Sequence, residues 1–440
     1  MGSEDSQVLE KDMKKTNRTT KLITGAILLL FCGLIYAWSL FRGFFQEAFP
    51  IWTIGNLSMT FTISMVFFCI GGFISGRLLP KFGAKVMILL SAIFLLIGFM
   101  GVSLLNTNSP KTSLVTLYIF YGVISGTGIG FSYNAILATV GKMFPDRQGF
   151  ASGVMMMGFG LGGLLLGAIV TNIINNIGIF NVFRILAVLM FMVLFIGSRI
   201  IGKGLHEAPF RAPQTEGVAN GVNIKASAPK KSNDGKEESK IKTENTGELT
   251  TKEMLTTASF WIFIIWNVVT NSAGLMVLNS AAPIVAQFGA PAILGMIVSL
   301  CNGGGRPIFG GIFDRLGRSK TMIIDCALQI GSGVFLTLGA ITKNVPLIIL
   351  GLIAAGFFYS GSPTIAAAFI NKEYGSKNYS SNFSTANFSL IPAAFIGPSL
   401  SSALISASGG AYTGTFIAII VCGVISIATL PVLAKFVKRN

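Results

Sequence analysis

The sequence contains little charge and almost no histidine. Only 11% of its 440 residues are charged, while 52% are hydrophobic. A soluble chain has about 25% charged residues, which cover its surface with polar groups, so this composition excludes a soluble globular protein and indicates a membrane protein. His206 is the only histidine, which argues against an imidazole metal site or a histidine proton relay.

The sequence also lacks catalytic clusters and phosphate-binding loops, and its few cysteines do not form a metal site. The sequence has no His/Asp/Cys cluster, and its glycine runs lie inside apolar segments rather than in phosphate-binding loops. We therefore expect neither an enzyme nor a bound cofactor or metal. No two cysteines have metal-ligand spacing, and we interpret them as small core residues without disulfides. All five fall inside apolar runs: Cys32, Cys69, Cys301, Cys326 and Cys422.

The sequence instead contains a series of long apolar runs. Each has about 20 residues or more, which is the length a helix needs to cross about 30 Å of hydrocarbon. The runs predict an all-α membrane protein with twelve transmembrane helices, the first of which is retained rather than cleaved as a signal peptide. They lie at residues 22–45, 54–76, 86–105, 114–141, 149–175, 179–202, 258–285, 290–313, 321–342, 345–370, 382–407 and 412–434.

A polar segment divides the twelve runs into two sets of six. Residues 203–257 hold too few apolar side chains to bury a core, so we predict a linker there. The predicted organisation is an N-terminal tail (1–21), a first half (22–202), the linker (203–257), a second half (258–434) and a C-terminal tail (435–440).

The net charge of +16 could indicate a nucleic-acid-binding protein, but the positions of the basic residues indicate membrane topology instead. With the amino terminus inside, most of the 33 Lys and Arg residues fall in segments predicted to face the cytoplasm. The exceptions are Arg42, Lys111, Arg184, Arg306 and Lys343. This bias predicts a multi-pass protein of the cell membrane with both termini in the cytoplasm. The expected partners are the lipid bilayer and a small ligand, not nucleic acid, and we expect a monomer.

The two halves repeat a glycine-spaced helix end. The second run of the first half ends in IGGFISGRLLPKFGAK (70–85), and its counterpart in the second half ends in GGGRPIFGGIFDRLGRSK (303–320). Gly76 matches Gly310, so residue i of the first half corresponds to residue i + 234 of the second. Repeated six-helix halves are typical of transporters with a binding site between the halves near the membrane midplane.

The second copy of this helix end resembles the loop signature of the major facilitator superfamily. The resemblance implies the major facilitator fold and a conformational latch, in which the loop's charges hold neighbouring helices together at the cytoplasmic side. In the first copy Pro80 replaces the expected aspartate and Ala84 the expected arginine, so that latch should differ. The signature is carried by Gly310, Asp314, Arg315, Gly317, Arg318 and Lys320.

Four further stretches resemble the oxalate/formate antiporter family, whose relatives include monocarboxylate transporters. Each motif is short, but the four occur in the expected order on the expected helices. The resemblance implies a secondary transporter of small organic anions. The stretches are GLIYAWSLF (33–41), FPDRQGFASG (144–153), TTASFWIF (256–263) and NGGGRP (302–307).

Arg306 is the side chain that most needs a chemical explanation. It lies eight residues before Asp314, about 12 Å along a helix and therefore near the membrane midplane. A central arginine costs roughly 2.5–3.5 kcal/mol on insertion scales. No acid lies beside it on its helix, so we expect a visiting carboxylate, which a guanidinium binds through two parallel hydrogen bonds. The alternative is a packing arginine bonded to backbone carbonyls such as that of Gly303, which Pro307 leaves without its helical N–H partner.

Aromatic and amide side chains at mid-helix depth complete the predicted binding site. Rings can pack against the carbon frame of a small acid while hydroxyls and amides donate to it, although ordinary packing is the alternative at each position. Tyr36 and Tyr133 rank first because they fall where the family motifs place pocket residues. The full set is Tyr36, Trp38, Tyr121, Tyr133, Trp266, Asn271 and Asn387.

The charge of the site predicts the charge of the substrate. Residues 382–400 contain no Lys or Arg, whereas the oxalate transporters that the chain resembles carry a second basic residue there, at the position of Leu390. One cation suits a monocarboxylate such as lactate, pyruvate or formate better than oxalate. A carrier for a drug or a sugar, and a transporter-like membrane sensor, are the alternative functions.

The mode of coupling stays open between anion exchange and proton-coupled transport. Anion exchange is expected if the carrier cannot reorient while the charge of Arg306 lacks a bound anion. Proton coupling needs a titratable group, and Asp325 is the candidate, unless it pairs instead with the basic turn 315–320.

Overall fold

The computed structural model describes residues 3–202, 248–278 and 280–437. Within these ranges the chain forms helices and short turns, with no β-strand, which confirms the all-α prediction. Most of the predicted linker (203–247) and the ends of both predicted tails (1–2 and 438–440) lie outside the described residues.

Twelve membrane crossings were predicted, and two helices of the structure are long enough to cross the membrane twice. Ten helices in the described ranges are long and apolar enough to cross a membrane, and two of them, Gly55–Ser103 and Ile293–Thr342, have 49 and 50 residues. Such a helix would be about 75 Å long, more than twice the hydrocarbon thickness of about 30 Å. Each contains one glycine with positive φ, Gly83 (76°) and Gly317 (74°), a conformation that glycine adopts without strain. The two bends divide these helices, so the described ranges contain twelve transmembrane helices.

The first half contains helices α1 to α6. Residues 3–21, predicted as a tail, are helical and continuous with the first crossing, because Glu, Lys, Gln and Leu in this segment are good helix formers. The bounds are α1 (Ser3–Cys32, continued by a 3-10 turn Gly33–Ala37 and by Trp38–Ala48), α2 (54–82), α3 (84–103), α4 (Pro110–Leu117, a π-helical turn Tyr118–Ser125, and Gly126–Gly141), α5 (Gln148–Ile177) and α6 (Ile179–Gly202).

The second half contains helices α7 to α12, preceded by a short helix, Thr251–Leu255. The bounds are α7 (Ala258–Leu278, then Ala281–Gln287), α8 (a 3-10 turn Ala292–Met296, then 297–316), α9 (318–342), α10 (Val345–Tyr374), α11 (Tyr379–Ala386, a 3-10 turn Asn387–Ser389, and Leu390–Ala407) and α12 (Thr413–Phe436).

One end of the bundle carries both glycine bends and the described parts of the linker region, and we call it the linker end. Gly202 packs against Lys85 there, and the backbone N–H of Lys377, between α10 and α11, donates to the Glu248 carboxylate at 2.7 Å. Burial lowers the pKa of Lys142, which follows α4, while the Glu248 carboxylate acts in the opposite direction. The entry to the second half therefore interacts with both halves at this end.

The main contacts between the halves are those of α5 with α8 and of α2 with α11, and α5 with α10 and α4 with α11 also meet. Glycines permit the close approach that replaces hydrophobic association inside a membrane; a Cβ atom at Gly310 would collide with the backbone of Gly149. In the described part of the chain, hydrogen bonds between the halves run from the middle of the helices to the linker end, which is therefore the closed end. They involve Cys69, Asn134, Arg306, Asp314, Ser380 and Ser381.

Candidate functional site

Arg306 lies at the middle of α8, and its guanidinium reaches α5 in the first half. The residue is only 3% exposed. Its Nη1 donates to the carbonyl oxygen of Met156 at 2.8 Å, and Nη2 makes a long hydrogen bond of 3.5 Å to Oδ1 of Asn302. Among the described residues, the Nε–H group has no hydrogen-bond partner. The buried guanidinium therefore keeps donors that a ligand could use.

Gly160 of α5 makes room for this guanidinium. A Cβ atom at that position would lie 3.0 Å from Cζ and 3.2 Å from Nε of Arg306. The arginine therefore packs directly against the backbone of the opposite half, where any side chain larger than glycine would displace it.

Arg306 has no carboxylate partner in the part of the chain that the structure describes. The ion pairs found there join Arg147 to Asp146 at 3.9 Å and Arg318 to Glu373 at 3.4 Å. The hydrogen bond to Met156 partly agrees with the alternative of a packing arginine bonded to backbone carbonyls. The carbonyl that it uses belongs to the opposite half, however, and not to Gly303 on the same helix. One neutral carbonyl does not compensate the charge of a buried cation, so the site is suited to an anion.

Two predicted tyrosines lie beside Arg306. Tyr36 of α1 and Tyr133 of α4 flank the ring of Phe159 on α5, with ring centroids 5.2 and 4.9 Å away. Both interact electrostatically with the guanidinium. Two phenylalanines of α2 extend this aromatic wall: Phe61, 6.5 Å from Tyr36, and Phe68, 5.1 Å from Tyr133. The structure therefore brings together the three residues ranked first from the sequence.

Two further polar residues at this site were missed in the sequence. Tyr359 of α10 interacts electrostatically with Tyr36 and Arg306, and Asn302 lies one helical turn before Arg306. The signal for Tyr359 was available in GFFYSGSP (356–363), where a hydroxyl-bearing ring stands among glycines in the middle of an apolar run.

Trp38 and Tyr121 pack inside the first half rather than at Arg306. The indole Nε1 of Trp38 donates to the carbonyl oxygen of Leu57 at 2.8 Å. Its ring lies 4.6 Å from that of Tyr121, which also packs against Phe99 and Phe183. The indole N–H of Trp38 and the faces of both rings are used within the fold.

Trp266 and Asn271 likewise pack inside one half, the second. Trp266 Nε1 donates to the Sγ atom of Cys326 at 3.4 Å. Asn271 Nδ2 donates to Oδ1 of Asn267 at 2.9 Å and to the hydroxyl of Ser362 at 2.6 Å. This network holds α7 against α10, and the structure does not bring these two residues to the guanidinium.

Asn387 lies where α11 meets α2. Its carbonyl oxygen accepts a hydrogen bond from the Sγ atom of Cys69 at 3.3 Å, and the residue is half-buried. It belongs to a 3-10 turn that interrupts α11 near the middle of the bundle. Leu390, which begins the next helical segment, packs against the apolar core.

Asp314 of α8 caps α5 from the opposite half. The residue before α5, Arg147, makes no side-chain cap. The Asp314 carboxylate instead accepts from the backbone N–H of Gly149 at 2.9 Å and of Phe150 at 2.8 Å. Free N–H groups and the helix dipole both favour a carboxylate at a helix N-terminus. The contact therefore joins the halves at the linker end.

The other predicted latch residues have different surroundings. Gly310 contacts Gly149 and supports the same joint. Gly317 makes the bend, Arg318 pairs with Glu373 inside the second half, and Arg315 is exposed.

The joint between α2 and α11 uses hydroxyls in place of charge. The Oγ atoms of Ser380 and Ser381 donate to the carbonyl oxygen of Gly76 at 3.1 and 2.8 Å. Pro80 occupies the position that matches Asp314, so no carboxylate is available in the first copy. The two joints are therefore chemically different, one neutral and one charged.

We expect Asp314→Asn to weaken the closed state of the linker end. The amide cannot offer a charged acceptor to both N–H groups, and the loss should be about 1–2 kcal/mol, a roughly 5–30-fold change in the ratio of closed to open molecules. Double electron–electron resonance between spin labels at the linker ends of α5 and α8 measures that ratio. Asp146→Asn, an exposed acid nearby, should leave it unchanged; an equal effect of both variants would contradict the role of Asp314.

The first comparisons with known proteins concern sequence. The family model described as Major Facilitator Superfamily matches residues 26–390. The oxalate:formate antiporter of Oxalobacter formigenes is 24% identical over 373 residues, which cover 82% of this chain and 80% of that protein. Monocarboxylate transporter 10 of Mus musculus is 31% identical over 150 residues, 34% of this chain and 27% of that protein.

The fold also matches solved structures of transporters. The proton:xylose symporter XylE superimposes with a TM-score of 0.67 at 14% identity, covering 96% of this chain and 97% of that one. At this identity the likeness concerns the fold alone. Since the family model covers most of the sequence, the chain belongs to the major facilitator superfamily, whose members are membrane carriers rather than enzymes.

Proposed function

We propose that this carrier transports small monocarboxylates, such as lactate, pyruvate or formate, and binds them at Arg306. The observation that carries the proposal is a guanidinium at mid-helix depth, 3% exposed, with an unused Nε–H and no carboxylate partner in the described ranges. The similarity to an oxalate:formate antiporter and a monocarboxylate transporter supports the same substrate class.

The side chains around Arg306 suit the two ends of a small acid. The carboxylate would accept from the guanidinium and from the hydroxyls of Tyr36, Tyr133 and Tyr359. The ring of Phe159 would pack against the carbon frame. Because these groups come from both halves, a bound acid would be held between them.

The proposed transport cycle is alternating access. In the described state the halves are joined from Arg306 to the linker end, and we propose that this end faces the cytoplasm of a cell-membrane protein that acts as a monomer. Opening it requires separation of Asp314 from the α5 N-terminus and of Ser380 and Ser381 from Gly76. Rocking of the halves about a midplane site is the movement expected of this architecture.

Uptake and counterflow in proteoliposomes test this function, with labelled lactate, pyruvate, formate and oxalate as substrates. We expect saturable uptake and counterflow of at least one monocarboxylate, with weaker uptake of oxalate. Transport of xylose or of a cationic dye, with counterflow of none of the four acids, would contradict the assignment and favour another substrate class.

Tyr36→Phe and Tyr133→Phe should each raise KM for the transported acid about 10- to 100-fold, because a hydrogen bond to a charged group contributes about 1.5–3 kcal/mol. The maximal rate should change little. Tyr118→Phe is the matched control, since its hydroxyl donates to the backbone carbonyl of Asn56 at 3.0 Å and not to the proposed site. Initial rates over a range of substrate concentrations decide the result, and an unchanged KM in both variants would remove these hydroxyls from the binding site.

Leu390→Lys should shift selectivity towards oxalate. Position 390 is where the oxalate transporters that the chain resembles carry a second basic residue. A cation there would compensate the second charge of the dianion, and we expect the ratio of oxalate to lactate uptake to rise about tenfold or more. Ile391→Lys adds the same charge on another face of α11 and is the control. Equal ratios in the two variants would contradict the placement of position 390 at the site.

A further inference from the structure

Asp325 of α9 is a buried carboxyl that nothing in the described structure satisfies. It is 0% exposed, and neither carboxylate oxygen has a hydrogen-bond partner. One turn later, Gln329 is also 0% exposed with both amide atoms unbonded. The sequence also allowed Asp325 to pair with the basic turn 315–320. In the described structure it does not, and Arg318 of that turn pairs with Glu373 instead. Burial of such a group without a partner is unfavourable and requires an explanation.

The surroundings of Asp325 leave space for its carboxyl but supply no counter-charge. Gly361 of α10 faces it, and a Cβ atom there would collide with Oδ1 and lie 2.9 Å from the ring of Phe309 on α8. The titratable group that interacts with it electrostatically in the described chain is the Cys326 thiol on its own helix. The site therefore suits a proton rather than a metal ion, which needs several oxygen ligands.

The charged groups on the packed helices have other partners or lie at the linker end. On α8, Arg306 and Asp314 make their contacts with α5. On α10 and α12, charge is confined to the final turns, and α7 between 258 and 278 has none. The groups are Arg306, Asp314 and Arg315 on α8, Arg318 and Lys320 on α9, Lys372 and Glu373 on α10, and Lys435 on α12.

The repeat indicates that the fold itself does not require an acid here. With the offset of 234 residues, Asp325 corresponds to Ser91 in the first half. Ser91 is likewise 0% exposed. A small neutral side chain therefore fills the equivalent position of the same architecture, and the carboxyl of Asp325 is a feature of the second half alone.

Asp325 is also placed to influence both the binding site and the latch. Phe309, the residue of α8 near its carboxyl, lies three residues after Arg306 and five before Asp314. A change in the charge of Asp325 therefore acts on the segment of α8 that connects the two.

We propose that Asp325 is a proton-binding site that couples the movement of one proton to the movement of one monocarboxylate. The inference rests on the proposed function. With substrate bound, the anion compensates Arg306 and Asp325 holds a proton as COOH. When substrate leaves, the proton leaves with it, and the carboxylate of Asp325 balances the charge of Arg306. The buried core therefore carries no net charge in either form, which favours reorientation through a medium of low dielectric constant.

Proteoliposomes separate this inference from the proposed function. Two assays are run on the unmodified protein with labelled lactate: counterflow at equal pH, and accumulation driven by a pH gradient with entrapped pyranine reporting proton movement. Protein-free liposomes are subtracted from both, because undissociated acid diffuses through lipid. A gradient of one pH unit should drive about tenfold accumulation for a one-to-one symport, and replacement of Na⁺ by choline should change nothing.

Asp325→Asn and Asp325→Ser should retain counterflow within about twofold; the serine is the residue of the first half at this position. Under the pH gradient, the ratio of internal to external lactate should fall to about one, since neither side chain can bind a proton. Asp325→Glu should retain coupled proton movement. Normal counterflow in the Asn or Ser variant also shows that it has folded, and an unchanged melting temperature of Asp325→Glu gives a second measure.

Four outcomes would overturn the inference. Counterflow without proton movement in the unmodified protein contradicts the proton site and leaves the carboxylate carrier intact. Wild-type proton coupling in Asp325→Asn shows that the coupled proton binds elsewhere. Loss of counterflow together with coupling in all three variants assigns Asp325 a structural role. Absence of counterflow for lactate, pyruvate, formate and oxalate contradicts the proposed function first, and this inference with it.

Discussion

Arg306→Ala is expected to reduce kcat/KM for lactate uptake by about 100- to 4,000-fold. Removing one partner of a buried ion pair costs about 3–5 kcal/mol, because the other charge is left uncompensated, and each 1.4 kcal/mol corresponds to about tenfold. The substrate carboxylate would enter a site that retains hydroxyls and rings but has lost its cation. Uptake of labelled lactate into proteoliposomes, from initial rates at several concentrations, measures the effect.

Arg306→Lys should restore less than about a tenth of the lost activity, since an ammonium is a point charge that cannot make two parallel bonds to a carboxylate. Lys111→Ala removes an exposed positive charge from the start of α4 and is the matched control, with expected wild-type uptake. Full activity of the lysine variant would show that charge alone is required at this position. Unchanged uptake by Arg306→Ala would remove the residue from the binding site.

Gly310→Ala is expected to lower transport about tenfold or more while the protein still folds. The added methyl group would collide with the backbone of Gly149, so α5 and α8 must move apart at the linker end. Overpacking of this kind costs about 1–3 kcal/mol, which corresponds to about 5–100-fold in the ratio of closed to open molecules. Spin labels on α5 and α8 should report a larger distance at the linker end, in parallel with the loss of lactate uptake.

Gly311→Ala provides a closely matched control for that experiment. It places the same methyl group on the next residue of α8, where nothing lies within 4 Å of the added atom. We expect wild-type transport and spin-label distances. If both variants were equally impaired, a change in helix propensity would explain the loss, and the close approach of Gly310 to Gly149 would not.

The helices and the depth of Arg306 could be predicted from the sequence because both depend on spacing along the chain. Apolar length fixes how many residues cross the bilayer, and a rise of 1.5 Å per residue places Arg306 about 12 Å from Asp314. Both glycine bends also follow from the repeated helix ends, where Gly83 and Gly317 precede basic residues. The helical start at Ser3 was missed because helix propensity without apolar periodicity is a weak signal.

The faces of the helices could not be predicted in the same way. Tyr36 and Trp38 are two residues apart on α1, yet Tyr36 lies at Arg306 and Trp38 packs on Tyr121. Residues two apart lie about 200° apart around a helix axis, so only one of the two could face Arg306, and the sequence does not say which. Tyr359 was not named from the sequence, although it is a polar-tipped ring at mid-helix depth like Trp266, because the face that each ring occupies depends on how the helices pack.

Contacts between the halves also lay beyond sequence reasoning. The hydroxyls of Ser380 and Ser381 meet Gly76 across about 300 residues of chain. Without a charged motif in the first copy, the sequence contains no sign of that joint. The satisfied hydrogen bonds of Asn271 depend in the same way on how α7 and α10 pack.

Rotational-echo double-resonance solid-state NMR tests the central claim most directly. The protein is labelled with 15N-arginine, reconstituted in lipid, and supplied with lactate carrying 13C at its carboxyl carbon. Binding at Arg306 predicts carbon–nitrogen dephasing that corresponds to about 4 Å, as in a bidentate pair, and its disappearance in Arg306→Ala. If lactate undergoes counterflow in the same membranes while the carboxyl carbon shows no dephasing, or the same dephasing in Arg306→Ala, the substrate binds elsewhere and the claim is wrong.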